Sequence, residues 1–495
     1  MNQLTFVNAE VRAAARKMPK GQFHCIVTSP PYWALRDYGI APTLWGGRPR
    51  CKHEFDKATY TLHHDRGDSS TLEGASQDTK PVRVTSSTCH KCGAWLGCLG
   101  LEPTVQLYIA HLTEALMAAA SLLRDDGVMF VNIGDCYAGN GGGAQGKSGA
   151  RGRGLPPGAS KHQAFSNRRD SSRPRVAAKG RVMAKRGEGL KPKDLVGIPW
   201  EMAFALRAAG LWLRIDNIWD KTNGLPNSAD DRPTLSHETV FLFTKSAHYY
   251  YDRYGFQEAV TGNAHPRGDG INPKAIDAPE GVKANERWAT SANALVASRN
   301  MRSVWTFPTA QFKGAHFATF PPELAERCIR VGTSMHGCCG LCGAAYARAI
   351  EKVENLERRQ EYGGDEKGEY VGRSEKDYSE NGVQTPGDVK RNILASTWDV
   401  RTIGWYPTCD CPPADVVPCR VLDPFAGAFT TVMVADRLLR SATGIEASSS
   451  FVSLGRKRIE DDRLHRTFGE VPKTEERRKE MLSQKSLFET EEKVA

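Results

Sequence analysis

The chain has 495 residues, of which 40% are hydrophobic and 25% charged, and it carries 18 Phe, 14 Tyr and 10 Trp. This composition excludes a peptide-sized scaffold and global disorder, because it supplies enough apolar surface for a buried core. No stretch approaches the ~18 uninterrupted apolar residues of a membrane span, and the start MNQLTFVNAE lacks the apolar centre of a signal peptide. We therefore expect a soluble, intracellular protein.

The formal net charge of +10 is concentrated in one segment. Residues 140–193 hold fourteen Lys/Arg and two Asp/Glu, an excess of +12, which leaves about −2 for the rest of the chain. The segment is too rich in Gly, Ser and Arg to bury a core of its own. We expect a mobile arm that binds a polyanion, and a merely solvating loop is the alternative.

Helices and strands alternate along the chain. The apolar run FHCIVTS at 23–29 stops at a double proline, as a buried strand that ends in a rigid loop would. Apolar residues at helical spacing over 104–123 predict a helix, which Asp-Asp-Gly at 125–127 would break before a strand at 128–134. The later predicted elements are helix 197–209, strands 211–219 and 239–245, helix 322–331, strand 420–423, helix 430–439, strand 442–446 and a basic helix 450–463. This alternation predicts an α/β fold with a doubly wound, mostly parallel sheet covered by helices on both faces.

The first candidate site is the hexapeptide TSPPYW at 28–33. Two prolines fix the backbone and lack N–H groups, so neighbouring carbonyls are available to accept hydrogen bonds from an exocyclic amino group. Tyr32 offers a flat face on which a base could stack, and Ser29 offers a hydroxyl acceptor. The alternative is that Pro30 and Pro31 only terminate the strand.

The second candidate site is VLDPFAGAFTT at 421–431, followed by TGIE at 443–446. A strand that ends in an acid, with a glycine turn before a helix, leaves space for an adenosyl-type ligand. A second strand ends in an acid that can accept hydrogen bonds from both ribose hydroxyls. Asp423 and Glu446 are 23 residues apart, close to the separation of about 20 in dinucleotide-binding folds.

These motifs together resemble the DNA amino-methyltransferases that make N4-methylcytosine or N6-methyladenine. The chain is similar to the permuted group, in which the catalytic SPPY motif precedes the S-adenosylmethionine motif, and the resemblance covers nearly the whole fold. Five segments follow the family's order: TSPPYW with ALRDYG, LEPTVQLYIAHLTEALMAAASLLRDDGVMFVNIGDCY, IDNIWDKTNGLPNSADDRPTLSHETVFLFTKS, SVWTFPTAQFKGAHFATFPPELAERCI, and VLDPFAGAFTT with TGIEAS.

The resemblance implies roles for individual residues. The catalytic residues that hold the target base would be Ser29, Pro30, Pro31 and Tyr32, and the residues that bind S-adenosylmethionine would be Asp423, Phe425, Gly427 and Glu446. Asp423 and Gly427 would hold the methionine end of the cofactor, and Glu446 its ribose. The sequence departs from the family at Phe429, where a second glycine is usual. The turn must then use dihedrals other than those of glycine, or Phe429 must point away from the ligand.

The expected reaction is direct transfer of a methyl group to the amino nitrogen of a flipped base. A carbon-5 cytosine mechanism would need a cysteine nucleophile, but the pair Pro418-Cys419 lies at the start of the cofactor strand, at the opposite end from the site. Ser29 before Pro-Pro-Tyr favours cytosine N4 as the target in this family, and adenine N6 is the alternative. Two further alternatives are an RNA or protein amide methyltransferase and a zinc-ribbon DNA-binding protein with weak or no catalysis.

Two sets of cysteine and histidine residues have the spacing of structural zinc ligands. The chain has 13 Cys and no secretion signal, so clustered cysteines are interpreted as metal ligands before disulfides. Each set offers two close pairs, the tetrahedral arrangement of a structural site. The predicted ligands of two structural zinc ions are Cys51, His53, Cys89 and Cys92 in the first set, and Cys339, Cys342, Cys409 and Cys411 in the second.

The expected organisation is one methyltransferase domain interrupted by insertions. The predicted boundaries are 1–45 for its catalytic-motif part, 46–100 for a zinc-ribbon-like insertion, 101–139 for methyltransferase core, 140–193 for the basic flexible arm, 194–251 for further core, 252–300 for a target-recognition insertion, 301–337 for the cofactor-half helix, 338–411 for a second zinc-ribbon-like insertion, 412–460 for the S-adenosylmethionine-binding part and 461–495 for a charged tail. The expected partner is double-stranded DNA in a bacterial or phage-like cytoplasm, with no membrane, and a restriction endonuclease is a possible further partner.

Overall fold

A computed structural model describes residues 2–62, 82–138, 189–191, 193–224, 231–259, 298–310, 320–354 and 398–468. Most of the predicted basic arm, most of the predicted target-recognition insertion and the end of the charged tail lie outside these ranges. Among the described residues, no helix is long and apolar enough to cross a membrane.

The described ranges contain six helices and eighteen strands. The helices are α1 (Val11–Lys17), α2 (Val105–Ala120), α3 (Ile198–Ala208), α4 (Pro322–Gly332), α5 (Thr430–Arg437) and α6 (Ser449–Phe468). The strands are β1 (Leu4–Asn8), β2 (Phe23–Thr28), β3 (Thr43–Trp45), β4 (Phe55–Leu62), β5 (Val82–Cys89), β6 (Trp95–Gly97), β7 (Leu123–Ile133), β8 (Trp212–Asp220), β9 (His237–Thr244), β10 (Gln257–Ala259), β11 (Ser298–Asn300), β12 (Val304–Thr306), β13 (Cys338–Cys339), β14 (Ala347–Glu354), β15 (Trp398–Tyr406), β16 (Val416–Val417), β17 (Arg420–Asp423) and β18 (Ser441–Glu446).

The central sheet has eight strands in the order β1-β18-β17-β2-β7-β9-β8-β12. All neighbouring pairs are parallel except those of β9, which runs antiparallel to both β7 and β8. The predicted mostly parallel sheet is confirmed. The strand order places β17 beside β2 and β18. The two candidate motifs, at residues 28–33 and 421–446, therefore lie at the same edge of the sheet.

Helices cover both faces of this sheet, as predicted. On one face α1, α2 and α3 bury residues such as Leu112 and Met202 against β2 and β7. On the other face α4 and α5 bury Leu324 and Val432 against Cys25 and Val128. Because β2 lies between these two helical layers, all six of its residues are buried. Its two polar residues, His24 and Thr28, are hydrogen-bonded within the protein.

The predicted break at Asp-Asp-Gly 125–127 is wrong, because β7 starts at Leu123 and contains it. The register between β2 and β7 shifts there: Phe23 pairs with Leu123, but Cys25 pairs with Val128. Gly127 permits this irregularity, since a Cβ atom at that position would lie 2.7 Å from the Leu123 side chain. The polar residues therefore interrupt the pairing of the strand without ending it.

The chain continues as helix α6 to Phe468, beyond the predicted helix 450–463 and into the expected charged tail. Arg463 and Arg466 both contact the buried carboxylate of Asp436, at 2.7 and 2.6 Å. These ion pairs attach the end of α6 to α5, which explains why the charged sequence is ordered this far. The first strand β1 and helix α1 were not predicted.

The two predicted insertions, 46–100 and 338–411, form small antiparallel sheets outside the central one together with the residues next to them. The first sheet is β3-β6-β5-β4, whose strand β3 precedes residue 46, and the second region has the hairpin β14-β15 and the pair β13-β16, whose strand β16 follows residue 411. Trp45 and Trp95 of the first sheet sandwich His111 of α2, with ring centroids 5.0 and 5.3 Å from the imidazole. This stack fixes the first insertion to the core.

Phe429 precedes α5 with φ 59° and ψ 34°, the left-handed conformation that favours glycine. Its side chain is fully buried and packs 5.0 Å from the Phe6 ring. A Cβ atom at Gly444 or Gly455 would lie 2.5 or 2.2 Å from the Phe429 ring, so two glycines make room for it. Packing of the ring therefore offsets the backbone strain.

We expect Phe429→Gly to destabilise the protein although it removes that strain. Relief of a left-handed conformation is worth about 1–2 kcal/mol, whereas emptying a buried Phe site costs about 3–5 kcal/mol. The net loss in free energy of unfolding should be about 1–4 kcal/mol, measured by urea denaturation.

Leu439→Gly is the matched control, because Leu439 has the same φ of 59° but is 71% exposed. That variant should be unchanged or up to about 1 kcal/mol more stable than the wild type. Stabilisation by Phe429→Gly would contradict the dominance of packing over strain.

Candidate active site

A cavity of about 320 Å³ lies at the carboxyl edge of the central sheet and joins the two candidate motifs. Seven of the eight residues predicted to hold base or cofactor line it: Ser29, Pro30, Pro31, Tyr32, Phe425, Gly427 and Glu446. Parallel strands β2, β17 and β18 end side by side at this edge, which is why residues far apart in sequence meet here. Asp423, the eighth, lies behind the cavity wall.

Asp423 is 1% exposed and its carboxylate binds three groups of the protein. Oδ1 accepts hydrogen bonds from Thr28 Oγ1 at 2.7 Å and the Phe425 backbone N–H at 3.2 Å, and Oδ2 accepts one from Thr431 Oγ1 at 2.7 Å. Burial raises the pKa of Asp423 to about 6. The carboxylate thus connects the end of β2, the glycine turn and the start of α5.

Glu446 faces the cavity from the end of β18. Its Oε2 accepts a hydrogen bond from the Gly427 backbone N–H at 2.9 Å, and its Oε1 accepts one from the Ser448 N–H at 2.8 Å. Burial raises the pKa of this carboxyl group. Each oxygen retains a lone pair for a ligand hydroxyl, so Glu446 both holds the glycine turn and offers acceptors to the cavity.

The glycine turn forms a wall of the cavity without the ring of Phe429. Phe425, Ala426, Gly427 and Ala428 line the space, whereas the Phe429 ring packs into the core on the other side. Of the two ways to accommodate this phenylalanine, the first is wrong, because the backbone keeps the left-handed dihedrals that favour glycine. The structure uses the second, with the side chain directed away from the cavity. Phe429 therefore does not narrow the site.

Two hydrogen bonds outside the cavity hold the double-proline loop in place. Tyr108 of α2 donates a hydrogen bond from its hydroxyl to the Pro31 carbonyl at 2.8 Å, and Trp33 donates from Nε1 to the Glu102 carbonyl at 2.9 Å. The Pro31 carbonyl is thus already engaged. Within the described ranges no donor reaches the Pro30 carbonyl, which leaves it as the acceptor that this loop can offer to a ligand.

A buried polar network that sequence reasoning missed surrounds Tyr32. The Tyr32 hydroxyl donates to Glu238 Oε2 at 2.8 Å, and Lys221 Nζ lies 2.6 Å from Glu238 Oε1. Asn132 Nδ2 donates to both Tyr32 Oη at 3.1 Å and Glu238 Oε2 at 2.8 Å. Asn132 carried a signal, since it is an amide inside the otherwise apolar strand segment VMFVNI. Lys221 and Glu238 lie just after β8 and at the start of β9, where polar residues are ordinary, so they carried none.

The network keeps Glu238 ionised. Burial by itself raises the pKa of Glu238, but the Lys221 charge and the hydrogen bonds from Lys221, Asn132 and Tyr32 outweigh burial and hold the pKa below its ordinary value. The carboxylate can therefore only accept hydrogen bonds, and it fixes the orientation of the Tyr32 hydroxyl.

Both predicted ligand sets are assembled. In each set the four ligand atoms lie within 4.8 Å of one another. In the first, Cys51 Sγ is 3.9 Å from Cys89 Sγ, and Cys92 Sγ is 3.4 Å from His53 Nδ1. Tetrahedral zinc with Zn–S bonds of about 2.3 Å places two sulfurs about 3.8 Å apart, so the residues fit the ion.

The two sets share the same backbone turn. Gly93 after Cys92 and Gly343 after Cys342 have φ of 74° and 73°, and their N–H groups donate to the carbonyls of Cys89 and Cys339, each at 2.8 Å. The Ala344 N–H then points at Cys342 Sγ at 3.4 Å. A turn that directs amides toward sulfur supports a thiolate ligand.

A third group, His24, Cys338 and Cys419, also has ligand atoms within 4.8 Å of one another. His24 Nδ1 accepts a hydrogen bond from the Arg420 N–H at 3.0 Å, so Nε2 carries the hydrogen and donates to the Gly343 carbonyl at 2.7 Å. Both ring nitrogens are occupied. The imidazole therefore attaches the Gly343 turn to strand β2, rather than offering a free metal ligand.

Comparison with known proteins agrees with this geometry. A family model described as "DNA methylase" (N6_N4_Mtase) matches residues 23–339, well over half of the chain. The Type II methyltransferase M.Cfr9I of Citrobacter freundii is 32% identical over 333 residues, which cover 67% of this chain and 74% of the relative. The chain belongs to this DNA methylase family. The predicted resemblance to DNA amino-methyltransferases is thereby confirmed.

A second relative of this DNA methylase is also described as a Type II methyltransferase. This protein, M.XycI of Xanthomonas campestris pv. cyanopsidis, is 31% identical over 66% of this chain and 72% of its own length. Among solved structures, PvuII DNA methyltransferase (cytosine-N4-specific) aligns with 97% of this chain and 91% of its own at 12% identity, with a TM-score of 0.42. That score is low, so the family assignment depends on the sequence comparisons.

We expect the ionisation of Asp423 to be visible in the pH dependence of stability. Burial raises its pKa from 3.8 to about 6, so the folded state binds this proton more tightly than the unfolded chain. The resulting stabilisation is complete below about pH 4 and is lost as the pH rises through 6. Asp423→Asn lacks this loss, so its free energy of unfolding relative to wild type should increase by about 1–3 kcal/mol from pH 4 to 7.

Urea denaturation at several pH values measures this difference. Asp125→Asn is the control, since the hydrogen bond from Lys245 lowers the pKa of Asp125 below 3.8. The stabilisation from that group is already present above about pH 4, so the stability of Asp125→Asn relative to wild type should stay nearly constant from pH 4 to 7. A difference between Asp423→Asn and wild type that does not vary with pH would contradict the shifted ionisation.

Proposed function

We propose that this DNA methylase transfers the methyl group of S-adenosylmethionine to the exocyclic amino group of a flipped base in double-stranded DNA, with cytosine N4 as the target. The observation that supports this proposal is the single cavity that carries the double-proline loop on one wall and the glycine turn with Glu446 on another. A methyl donor and an acceptor base bound to these two walls would face each other in one enclosed space.

The proposed cofactor site is the turn side of the cavity. Glu446 would accept hydrogen bonds from the ribose hydroxyls, and the backbone at Phe425 and Gly427 would border the methionine end. Asp423 has all its contacts within the protein. We therefore propose that it acts by holding the turn and the end of β2 in register, while Glu446 contacts the ligand directly.

The proposed base site is the loop side. Tyr32 would stack on the base, and Ser29 with the Pro30 carbonyl would accept hydrogen bonds from the amino group, holding its nitrogen in line with the sulfonium methyl. The nitrogen forms the new C–N bond, the S–CH3 bond breaks with its electrons staying on sulfur, and one amino proton leaves to solvent. The products are a methylamino base and the thioether, with no covalent enzyme intermediate.

Cytosine N4 is proposed because Ser29 occupies the first position of the motif. Adenine N6 is the second candidate, since both amino groups are conjugated to a ring and would use the same acceptors. A protein or RNA amide acceptor is disfavoured by the family match to DNA methylases. The name Type II methyltransferase of the relatives favours a role beside a restriction endonuclease.

DNA contacts outside the cavity are assigned to segments that lie mostly beyond the described residues. We propose that the basic segment 140–193 binds phosphates and that 252–300 reads sequence, since phosphate contacts position a protein without reading bases. We further propose that the two cysteine sets hold structural zinc in insertions 46–100 and 338–411, because each set offers four ligands and leaves no open position.

The product of the reaction tests the proposed function. Incubation with methyl-labelled S-adenosylmethionine and DNA, RNA or protein, followed by digestion and mass spectrometry, should yield N4-methylcytosine from DNA only. Tyr32→Ala should lower kcat/KM by tenfold or more, as stacking of a base is worth about 1–3 kcal/mol. The control Tyr406→Ala, 53% exposed on β15, should keep wild-type activity.

N6-methyladenine as the only product would overturn the choice of cytosine and leave the amino-methyltransferase function in place. Label in RNA or protein but not in DNA would overturn the proposed substrate class.

Zinc content provides a separate prediction. Elemental analysis of the purified protein should give two zinc ions per chain. Cys92→Ser and Cys342→Ser should each lose one, because each removes a ligand from a different set. Cys98→Ser is the control, since its thiol contacts the Ile40 carbonyl and belongs to neither set, and it should keep both ions. Active wild-type protein without zinc would refute both sites.

A further inference from the structure

The side-chain amide oxygen of Asn132, on β7 beside the cavity, has no hydrogen-bond partner among the residues that the structure describes. The residue is 3% exposed and lines the cavity beside Tyr32 and Glu238. Its Nδ2 makes two hydrogen bonds, to Tyr32 Oη and Glu238 Oε2. Its Oδ1 is buried and accepts none from any residue that the structure describes. A buried acceptor left in this state is costly, and in native proteins it usually has a bound partner.

The neighbours of Asn132 determine which atom of its side-chain amide remains without a hydrogen bond from the protein. Lys221 has only donors, and it lies 2.6 Å from Glu238 with both side chains buried. The ionised Glu238 can only accept, so the Asn132 amide must direct its NH2 group toward it. A flipped amide would place oxygen against the carboxylate. The planar amide therefore presents Oδ1 on the side away from Glu238, and a ligand there must bring an N–H donor.

We propose that Asn132 Oδ1 accepts a hydrogen bond from the amino group of the target base, which makes Asn132 a residue that positions and selects the base. This inference rests on the proposed function. An unmethylated amino group has two N–H bonds. One would point to the double-proline loop, where Ser29 and the Pro30 carbonyl accept, and the other to Asn132 Oδ1 on β7. The methylated product keeps only one N–H and would leave one acceptor unpaired.

The proposal accounts for a charged pair buried so close to the base site. Lys221 fixes Glu238 as an acceptor, Glu238 fixes the donors of Tyr32 and Asn132, and the oxygen of Asn132 is left facing the substrate. A keto group at the same position of the base, as in uracil or thymine, would place oxygen against oxygen. The network thus favours bases with an amino group over those with a keto group.

A binding cycle tests this contact. The probe is a duplex with the sequence that the product analysis identifies, compared with the same duplex whose target base lacks its amino group, both with S-adenosylhomocysteine to prevent turnover. Dissociation constants are measured for wild type and Asn132→Ala. The quantity compared is the ratio of the two dissociation constants, for the duplex without the amino group over the duplex with it. General damage from the substitution affects both duplexes equally and cancels in this ratio.

We expect the loss of affinity on removing the amino group to be about fivefold smaller in Asn132→Ala than in wild type, the effect of one neutral hydrogen bond. Glu238→Gln should show the same reduction, because a glutamine can donate and so frees the Asn132 amide to flip. Asn217→Ala should keep the wild-type ratio, since Asn217 is buried on β8, two strands from β7, and donates to the Val240 carbonyl.

Equal ratios, within twofold, for wild type and Asn132→Ala would overturn the proposal and indicate that Oδ1 binds a water instead. A wild-type ratio in Glu238→Gln would also overturn it, because the network would then not set the polarity of the amide. If the wild type methylates DNA and the ratios are equal, only this inference fails. If no DNA product forms, the proposed function fails first.

Discussion

The carboxylate of Asp423 is the interaction on which the site depends. It accepts hydrogen bonds from Thr28 at the end of β2 and from Thr431 in α5, residues that are distant in sequence. Because it is almost completely buried, any displacement of either element would leave a charged or polar group unpaired in the interior. The base-side loop that follows Thr28 and the cofactor-side turn that follows Asp423 are thereby held in a fixed relation.

A second buried carboxylate, Glu238, organises the opposite wall. The Lys221–Glu238 pair is itself weak support for stability, because removing two charges from water costs about as much as their attraction returns. Its effect is on orientation: an acceptor-only group at this place dictates which atoms of Tyr32 and Asn132 face the cavity. Asp423 thus sets the spacing of the two walls, and Glu238 sets the polarity of one of them.

The insertions are attached to this core by imidazoles. His111 lies between two tryptophans of the first insertion, and its Nδ1 is 3.0 Å from the buried Glu102, which also accepts from the Gly100 N–H. His24 on β2 donates to the Gly343 turn of the second. Each ligand set is therefore coupled to an element next to the site: His111 through the 100–102 segment beside the double-proline loop, and His24 through β2 itself.

The sequence alone predicted the mostly parallel α/β sheet, the motifs at the strand ends and the grouping of both cysteine sets, because apolar periodicity, turn residues and cysteine spacing are local properties of a chain. It wrongly predicted a break at 125–127, where β7 continues through the polar residues because it pairs with β2 on both sides of them. It placed Asp423 among the ligand-binding residues, but only the tertiary structure showed its oxygens engaged by Thr28, Phe425 and Thr431. Likewise, Asn132, Lys221 and Glu238 meet only because β7, β8 and β9 are neighbours in the sheet. Such contacts depend on strand order, which no local pattern encodes.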